Sequence, residues 1–267
     1  MKKILATCIL FVCCAFFVTC NRDDIPDKPD HPDNPVDPPS ENTVTDIDGN
    51  VYNTVQIGDQ CWMKENLRTT RYADGTSIPV GDDENWGDTD PYYYDYHSSG
   101  IPVEDRGYLY NWTAAMHGGS SSDANPSGVQ GICPDGWHLP SDAEWKQLMD
   151  YVGSHGDYVC GDDTNNIAKA LASTTWWHNN GSRSECLVGS DPNTNNASGF
   201  GAVPAGGWIG WLDEFRFEGY DANFWSSTES ANHNDCACIR ELDYYQPNVI
   251  RLEFLKRLGF SVRCLRD

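Results

Sequence analysis

Cysteine is the side chain with the most chemistry on offer in this chain. Eleven occur, and four of them, Cys8, Cys13, Cys14 and Cys20, crowd the N-terminal stretch. The other seven, Cys61, Cys133, Cys160, Cys186, Cys236, Cys238 and Cys264, are spread over the remainder. Thiols can hold a soft metal, act as nucleophiles or oxidise to disulfides. Cys236 and Cys238 are separated by one residue, the wrong spacing for a zinc knuckle. The seven histidines are scattered and none has a metal-ligating neighbour. His138 reads as a structural residue of the turn that leads into a helix. No HExxH, nucleophile elbow or phosphate-binding glycine loop occurs, so no enzyme activity and no catalytic residue are expected. A second set of residues could bind rather than react. Trp208, Trp211 and Phe215 stand in a glycine-rich stretch beside Asp213 and Glu214. Exposed rings there would stack on sugar faces while the acids hold hydroxyls or calcium. The competing reading is that these rings pack the core beneath long loops, the commoner fate of tryptophan.

Cys20 sets the compartment. Lys2 and Lys3 are followed by an apolar run, Ile4 to Val18, and then by Asn21-Arg22-Asp23-Asp24. A basic start, a short apolar core and a small-residue exit make a secretory leader. The run is shorter than the roughly 20 residues that span a bilayer. Phe17-Val18-Thr19-Cys20 resembles a relaxed bacterial lipobox, which implies cleavage before Cys20 and lipidation of its thiol. Residues 1–19 are then leader, and the protein is expected to be anchored by lipid to the outer membrane, at the cell surface. Several acyl chains on one residue hold far better than one.

In such a compartment the remaining cysteines are oxidised, and seven is odd, so at least one stays free or pairs between chains. Taking Lys2 and Lys3 away with the leader reduces the 18 basic residues to 16 against 40 acidic ones. That surface repels nucleic acid and anionic headgroups. It tolerates calcium as an optional ligand, although solubility alone accounts for the charge. Ten tryptophans supply a substantial core, or a core together with a stacking surface.

The elements that must position these residues start after a spacer, residues 20–43. Pro26, Pro29, Pro32 and Pro35 recur at every third position there. The segment favours extended polyproline and could hold the following domain up to roughly 60 Å from its lipid. Residues 44–267 read as one domain. Thr43 to Ile57 alternates around Asp48-Gly49-Asn50, a hairpin signal. The oxygens of Asp46, Asp48 and Asn50 also have a faint calcium-loop spacing, but the EF-hand glycine and distal glutamate are missing. Asp142 to Val152 is the clearest helix, with Ser141 as N-cap, Glu144 completing a capping box and Trp145, Leu148, Met149 and Val152 on one face. A second helix is predicted over Asn166 to Ala172. Asp162, Asp163, Asn165 and Asn166 form an oxygen-rich turn before it. Ser173 to Ser227 reads as a long irregular region, too long for idle linker. Strands are predicted over 236–242, 248–254 and 260–265, with Phe260, Val262 and Cys264 on one face.

Several segments resemble a known family when taken in order. They are Trp62-Met63-Lys64-Glu65-Asn66-Leu67, Tyr72-Ala73-Asp74-Gly75-Thr76, Leu109-Tyr110-Asn111-Trp112 and Cys133-Pro134-Asp135-Gly136-Trp137-His138-Leu139-Pro140. Ser198-Gly199-Phe200 with Pro204-Ala205-Gly206-Gly207, Phe224-Trp225-Ser226-Ser227 and Gly259-Phe260-Ser261-Val262-Arg263-Cys264 complete the set. Together they resemble the Fibrobacter succinogenes major paralogous domain family. The resemblance implies an α+β, C-type-lectin-like fold, with two helices, small antiparallel sheets and long irregular loops stapled by disulfides. It further implies that Cys133 pairs with Cys264 and Cys160 with Cys186. The first bridge would close a loop worth about 5 kcal/mol in the chain-entropy model. For the rest, Cys61 with either Cys236 or Cys238 is expected, because a bridge within the Cys236–Cys238 pair would be strained.

The C-terminal motif is also similar to that of formylglycine-generating enzymes. Those enzymes bind copper(I) with a second cysteine five residues earlier, where this chain has Gly259. The Glu-Pro-Asn and Trp-Asn-Asp triplets of calcium-dependent lectins do not occur either. The expected role is therefore non-catalytic, with no obligatory cofactor: recognition of an extracellular glycan or protein, or else assembly of a surface complex.

Overall fold

Asp48-Gly49-Asn50 turns the chain as its chemistry predicts. Strand β1 (Thr43–Thr45) pairs antiparallel with β2 (Val51–Ile57), in the register Thr45 opposite Val51. Gly49 takes φ +84°, a conformation that costs glycine little. The Asp46 carboxylate accepts the amides of Asp48 and Asn50, each at 2.9 Å, and the Tyr52 hydroxyl at 2.6 Å. Asp48 accepts from the Thr70 amide at 2.6 Å and Arg71 Nε at 2.5 Å. These oxygens of the calcium-like spacing are thus engaged by protein donors, and they build the turn. Burial opposes ionisation of Asp48, yet the hydrogen bonds from Thr70, Arg71 and Thr69 outweigh it and hold its pKa below the usual value.

The computed structural model describes residues 42–82, 84, 89–210 and 214–267. The leader, Cys20, most of the spacer, and Trp211 and Asp213 lie outside the described residues. All described residues fall in one unit, residues 39–267. Among them no helix is long and apolar enough to cross a membrane.

Strand β3 (Gln60–Met63) adds to β2, and β4 (Tyr93–Tyr94) pairs with β5 (Leu109–Tyr110). Two short helices, α1 (Val103–Arg106) and α2 (Trp112–Met116), flank β5. Asn111 caps α2 by accepting the Ala114 amide at 2.9 Å. Strand β6 (Trp137–His138) leads into α3 (Asp142–Gly153), the longest helix among the described residues. Its capping box is complete: Ser141 Oγ accepts the Glu144 amide at 3.2 Å, and Glu144 accepts the Ser141 amide at 2.9 Å. Trp145, Leu148 and Val152 are buried on the predicted face, with Met149 half-buried at its edge. The second predicted helix shrinks to one turn, α4 (Ala168–Leu171). Among the described residues four α-helices therefore stand in place of the expected two, and α3 alone spans three turns.

Two departures lie downstream. The region predicted irregular from Ser173 to Ser227 contains β7 (Gly207–Ile209), β8 (Glu214–Arg216) and the start of β9 (Asp221–Glu229). Gly206, at φ +68°, makes the hairpin of β7 and β8 fit, since a Cβ there would lie 2.1 Å from the Arg216 carbonyl oxygen. Strands β10 (Cys236–Asp243) and β11 (Ile250–Leu255) form with β9 a sheet of order β11-β10-β9. The predicted strand at 260–265 is mostly a thread of single bridges, ending in β12 (Leu265–Arg266). Phe260 exchanges hydrogen bonds with Tyr110, Ser261 with Asn223 and Trp225, and the Leu67 amide donates to Val262. β12 completes a five-stranded sheet of order β1-β2-β3-β12-β6. Because sheets lie on both sides of this thread, Ser261 and Arg263 are as buried as Phe260, Val262 and Cys264.

The architecture is α+β, of small antiparallel sheets with few helices, and it carries two disulfides. Cys133 is bonded to Cys264 and Cys160 to Cys186. Cys61, Cys236 and Cys238 are free. The expected bridge from Cys61 does not form, because Cys61 sits on β3 of the five-stranded sheet and the other two on β10 of the three-stranded one.

Candidate functional site

Trp176 and Trp177 are adjacent, so the chain cannot aim both into the same core. Trp177 is buried and its Nε1 donates to the Ala202 carbonyl at 3.1 Å, while Trp176 faces outward. Tyr244 and Tyr245 divide the same way, Tyr244 against the core edge and Tyr245 exposed. A turn of β-ladder ends brings these residues together. The His178 amide donates to the Gly219 carbonyl at 2.7 Å, and the Tyr244 amide to the Tyr220 carbonyl at 2.9 Å. Three segments, 176–178, 217–220 and 244–245, are thereby joined.

Four of their rings, His178, Tyr220, Tyr244 and Tyr245, touch in series. His178 stacks on Tyr220 with centroids 4.9 Å apart, and Tyr220 meets Tyr244 edge-on at 5.0 Å. Tyr244 in turn contacts Tyr245 at 5.3 Å. Trp176, Phe217, Tyr220 and Tyr245 are 40%, 55%, 38% and 55% exposed. Two of them hold unusual backbone: Trp176 at φ +73° and Phe217 at φ +65°. Bulky residues in the left-handed region cost on the order of 1–3 kcal/mol each, a cost that persists where the fold holds them for another purpose. The Phe217 carbonyl accepts the amides of Tyr220 and Asp221, each at 2.9 Å, which fixes that turn. Asp105 accepts Trp176 Nε1 at 3.1 Å and orients the indole. Glu218, hydrogen-bonded to Ser99 and to the Gly100 amide, supplies a carboxylate at the same surface.

Of the residues singled out from sequence, Trp208, Glu214 and Phe215 are described, and they lie elsewhere. Trp208 is only 3% exposed and stacks on Tyr94, with centroids 4.0 Å apart and planes within 10°. Phe215, its cross-strand partner, stacks on Tyr96 at 4.5 Å. The ring faces of Trp208 and Phe215 are taken by tyrosines, because the β7–β8 hairpin folds back over the segment around β4. Trp208 and Phe215 therefore belong to packing. Glu214 is exposed and ion-paired with Arg216. Asp163 accepts the Asn165 amide at 3.0 Å, and its carbonyl accepts the Asn166 amide at 2.9 Å, so that oxygen-rich cluster is a turn. Among the described residues no group of three or more His, Cys, Asp or Glu is arranged to hold a metal ion.

A model of the Fibrobacter succinogenes major domain matches residues 55–266. The chain belongs to that family. No curated protein matches it, and no solved structure does.

The Fibrobacter succinogenes major domain of this chain contains one arrangement that looks catalytic at first sight. His138 is 3% exposed and lies between two carboxylates. Its Nε2 is 2.8 Å from Glu144 Oε1, and its Nδ1 is 2.7 Å from Asp267 Oδ1. Burial works against the charged ring, but the hydrogen bonds to Glu144 and Asp267 prevail and raise its pKa. Both ring nitrogens are engaged, and His138 and Asp267 line a small cavity of about 270 Å³ with Trp137 and Gln130. Glu144 is itself tied into the α3 capping box and to the Ser127 amide at 3.2 Å. The constellation clamps the start of α3, the loop before it and the end of β12 together.

The aromatic surface is not legible as one site in the sequence, because three distant segments assemble it. A signal was present all the same: aromatic doublets in polar loops, Trp176-Trp177 and Tyr244-Tyr245, where one ring of each pair must face away from the core.

Proposed function

We propose that this protein is a lipid-anchored surface lipoprotein whose domain binds an extracellular glycan without catalysis, through the face formed by Trp176, His178, Phe217, Tyr220 and Tyr245. The observation that carries this reading is the pair of exposed aromatic residues kept in left-handed backbone conformations at the rim of one ring cluster. Core packing does not account for rings on the outside. Flat apolar faces with Asp105 and Glu218 beside them suit a pyranose ring, which offers C–H groups to the aromatic face and hydroxyls to the acids. The strong negative charge disfavours nucleic acid and anionic surfaces as ligands. A C-type-lectin-like ancestry for the fold, and a position on the outer membrane, form part of the same proposal.

A glycan-array screen of the purified chain, with calcium and again with chelator, tests it. Selective binding that Tyr220→Ala or Trp176→Ala weakens by about two- to tenfold supports the reading, since one stacked ring is worth about 0.5–1.5 kcal/mol. Loss on chelation would add calcium to the site. A blank array from a folded sample would overturn the glycan reading and point to a protein partner or an assembly role for the same face.

A further inference from the structure

The segment that carries Trp176 and His178 continues into the wall of a concavity. Cys160, bonded to Cys186, lies in that wall, and the cavity measures about 730 Å³, within the range of small-ligand sites. Lys169 of α4 and Arg183 face it, as do Asp157, Glu185 and Asp191. Among the described residues none of these five charges is ion-paired with another. The Lys169 ammonium is fixed by the carbonyls of Asp191 and Leu187, at 3.1 and 3.5 Å. An ammonium has three donors, so two carbonyls leave one to spare. Burial lowers the Lys169 pKa, with Asp191 opposing the shift.

Cavity and aromatic face share structure. Asn180 Oδ1 accepts the amide of Ser182, which lines the cavity, at 2.8 Å. The Asn180 amide donates to the Gly189 carbonyl at 2.9 Å, and the Gly189 amide donates to the Tyr244 carbonyl at 2.8 Å. Ser190, the next residue, lines the cavity as well. The same strip of chain therefore has rings at one end and a polar hollow at the other.

We propose that this hollow is a second subsite, taking a neutral sugar residue of the glycan whose neighbour lies on the aromatic face, with Lys169 and Arg183 as donors and Asp157 and Asp191 as acceptors. The inference rests on the recognition reading above. Mixed charges of nearly equal number favour a ligand that both donates and accepts hydrogen bonds, as vicinal hydroxyls do, over a carboxylated or phosphorylated one. A disulfide across the wall keeps the subsite shaped before ligand arrives, which limits the ordering cost of binding.

The test is a chain-length series. Neutral cello-, xylo- and manno-oligosaccharides of two and six residues are titrated by calorimetry into the purified full chain and into Lys169→Met, Arg183→Ala and Tyr220→Ala variants. Arg183 is exposed, and its variant keeps the comparison valid should Lys169→Met perturb folding. In the wild type the six-residue probe of the accepted series should bind at least about tenfold tighter than the two-residue one, as a second linked contact allows. That gain should vanish in the Lys169 and Arg183 variants, while Tyr220→Ala weakens both probes. A length gain that survives in both cavity variants, or no gain at all, overturns this subsite and leaves the aromatic face standing. No binding by any probe, together with a blank array, overturns the recognition reading and this inference with it.

Discussion

Arg263 is wholly buried and is held by neutral oxygens. Its guanidinium donates to the carbonyls of Met63, Phe200 and Gly201 at 3.1, 2.6 and 3.3 Å, and to Asn66 Oδ1 at 2.7 Å. It also lies over the rings of Phe200 and Phe224, 4.6 and 5.4 Å from their centroids. Burial lowers its pKa, against the pull of Glu65. Arg263→Leu would leave three carbonyls and an amide oxygen without donors, so a loss of about 2–4 kcal/mol is expected in urea unfolding. A variant within about 0.5 kcal/mol of wild type would show that the cluster does not need its cation. The free thiols give a second prediction at this scale. Alkylation of the denatured, unreduced protein should label Cys61, Cys236 and Cys238 and spare Cys133, Cys160, Cys186 and Cys264. Finding Cys61 in a bridged peptide with Cys236 or Cys238 by mass spectrometry would contradict the structure. Burial raises the Cys238 thiol to about 11, so in the folded state it should label slowly.

Helix α3 shows how one element organises its surroundings. Its capping box uses Glu144, and the same carboxylate receives His138, while Asp142 of the first turn pairs with Arg240 and with Arg251, the latter at 2.9 Å. The raised pKa of His138 makes this junction depend on pH. A ring whose folded pKa exceeds its unfolded value of about 6.5 contributes fully below that value and loses the contribution as pH rises through the folded pKa. The stability gap between wild type and His138→Gln should therefore be widest below about pH 6.5 and narrow as the pH rises above it through the folded pKa. Urea midpoints measured across that range check it, and a gap independent of pH would mean that the ring acts as a neutral spacer.

At the scale of the whole domain, Cys133–Cys264 joins the segment before α3 to the central thread, across a sequence separation of 131 residues. Cys133→Ala with Cys264→Ala should cost about 2–5 kcal/mol, most of it through a less constrained unfolded chain. The paired Cys160→Ala and Cys186→Ala change opens a shorter loop, of sequence separation 26, and should cost less, so thermal melts of the two double variants should rank in that order. Local chemistry was enough to place the β1–β2 hairpin and α3 to within a residue or two, since turn residues, caps and a 3.6-residue period act over short distances. Family motifs were enough to pair four cysteines and to expect an α+β domain. Neither could say that β7, β8 and β9 run through a glycine-rich stretch, because those strands exist only where their partners meet them. The aromatic surface shows the same limit from the other side. Trp176 and Trp177 stand side by side in one polar stretch, yet Trp177 is buried with its Nε1 on the Ala202 carbonyl and Trp176 is 40% exposed. Ring chemistry, charge and cysteine number were written in the chain, whereas exposure was decided by which distant segment packs on each ring, a property of the folded contacts and of no short stretch of residues.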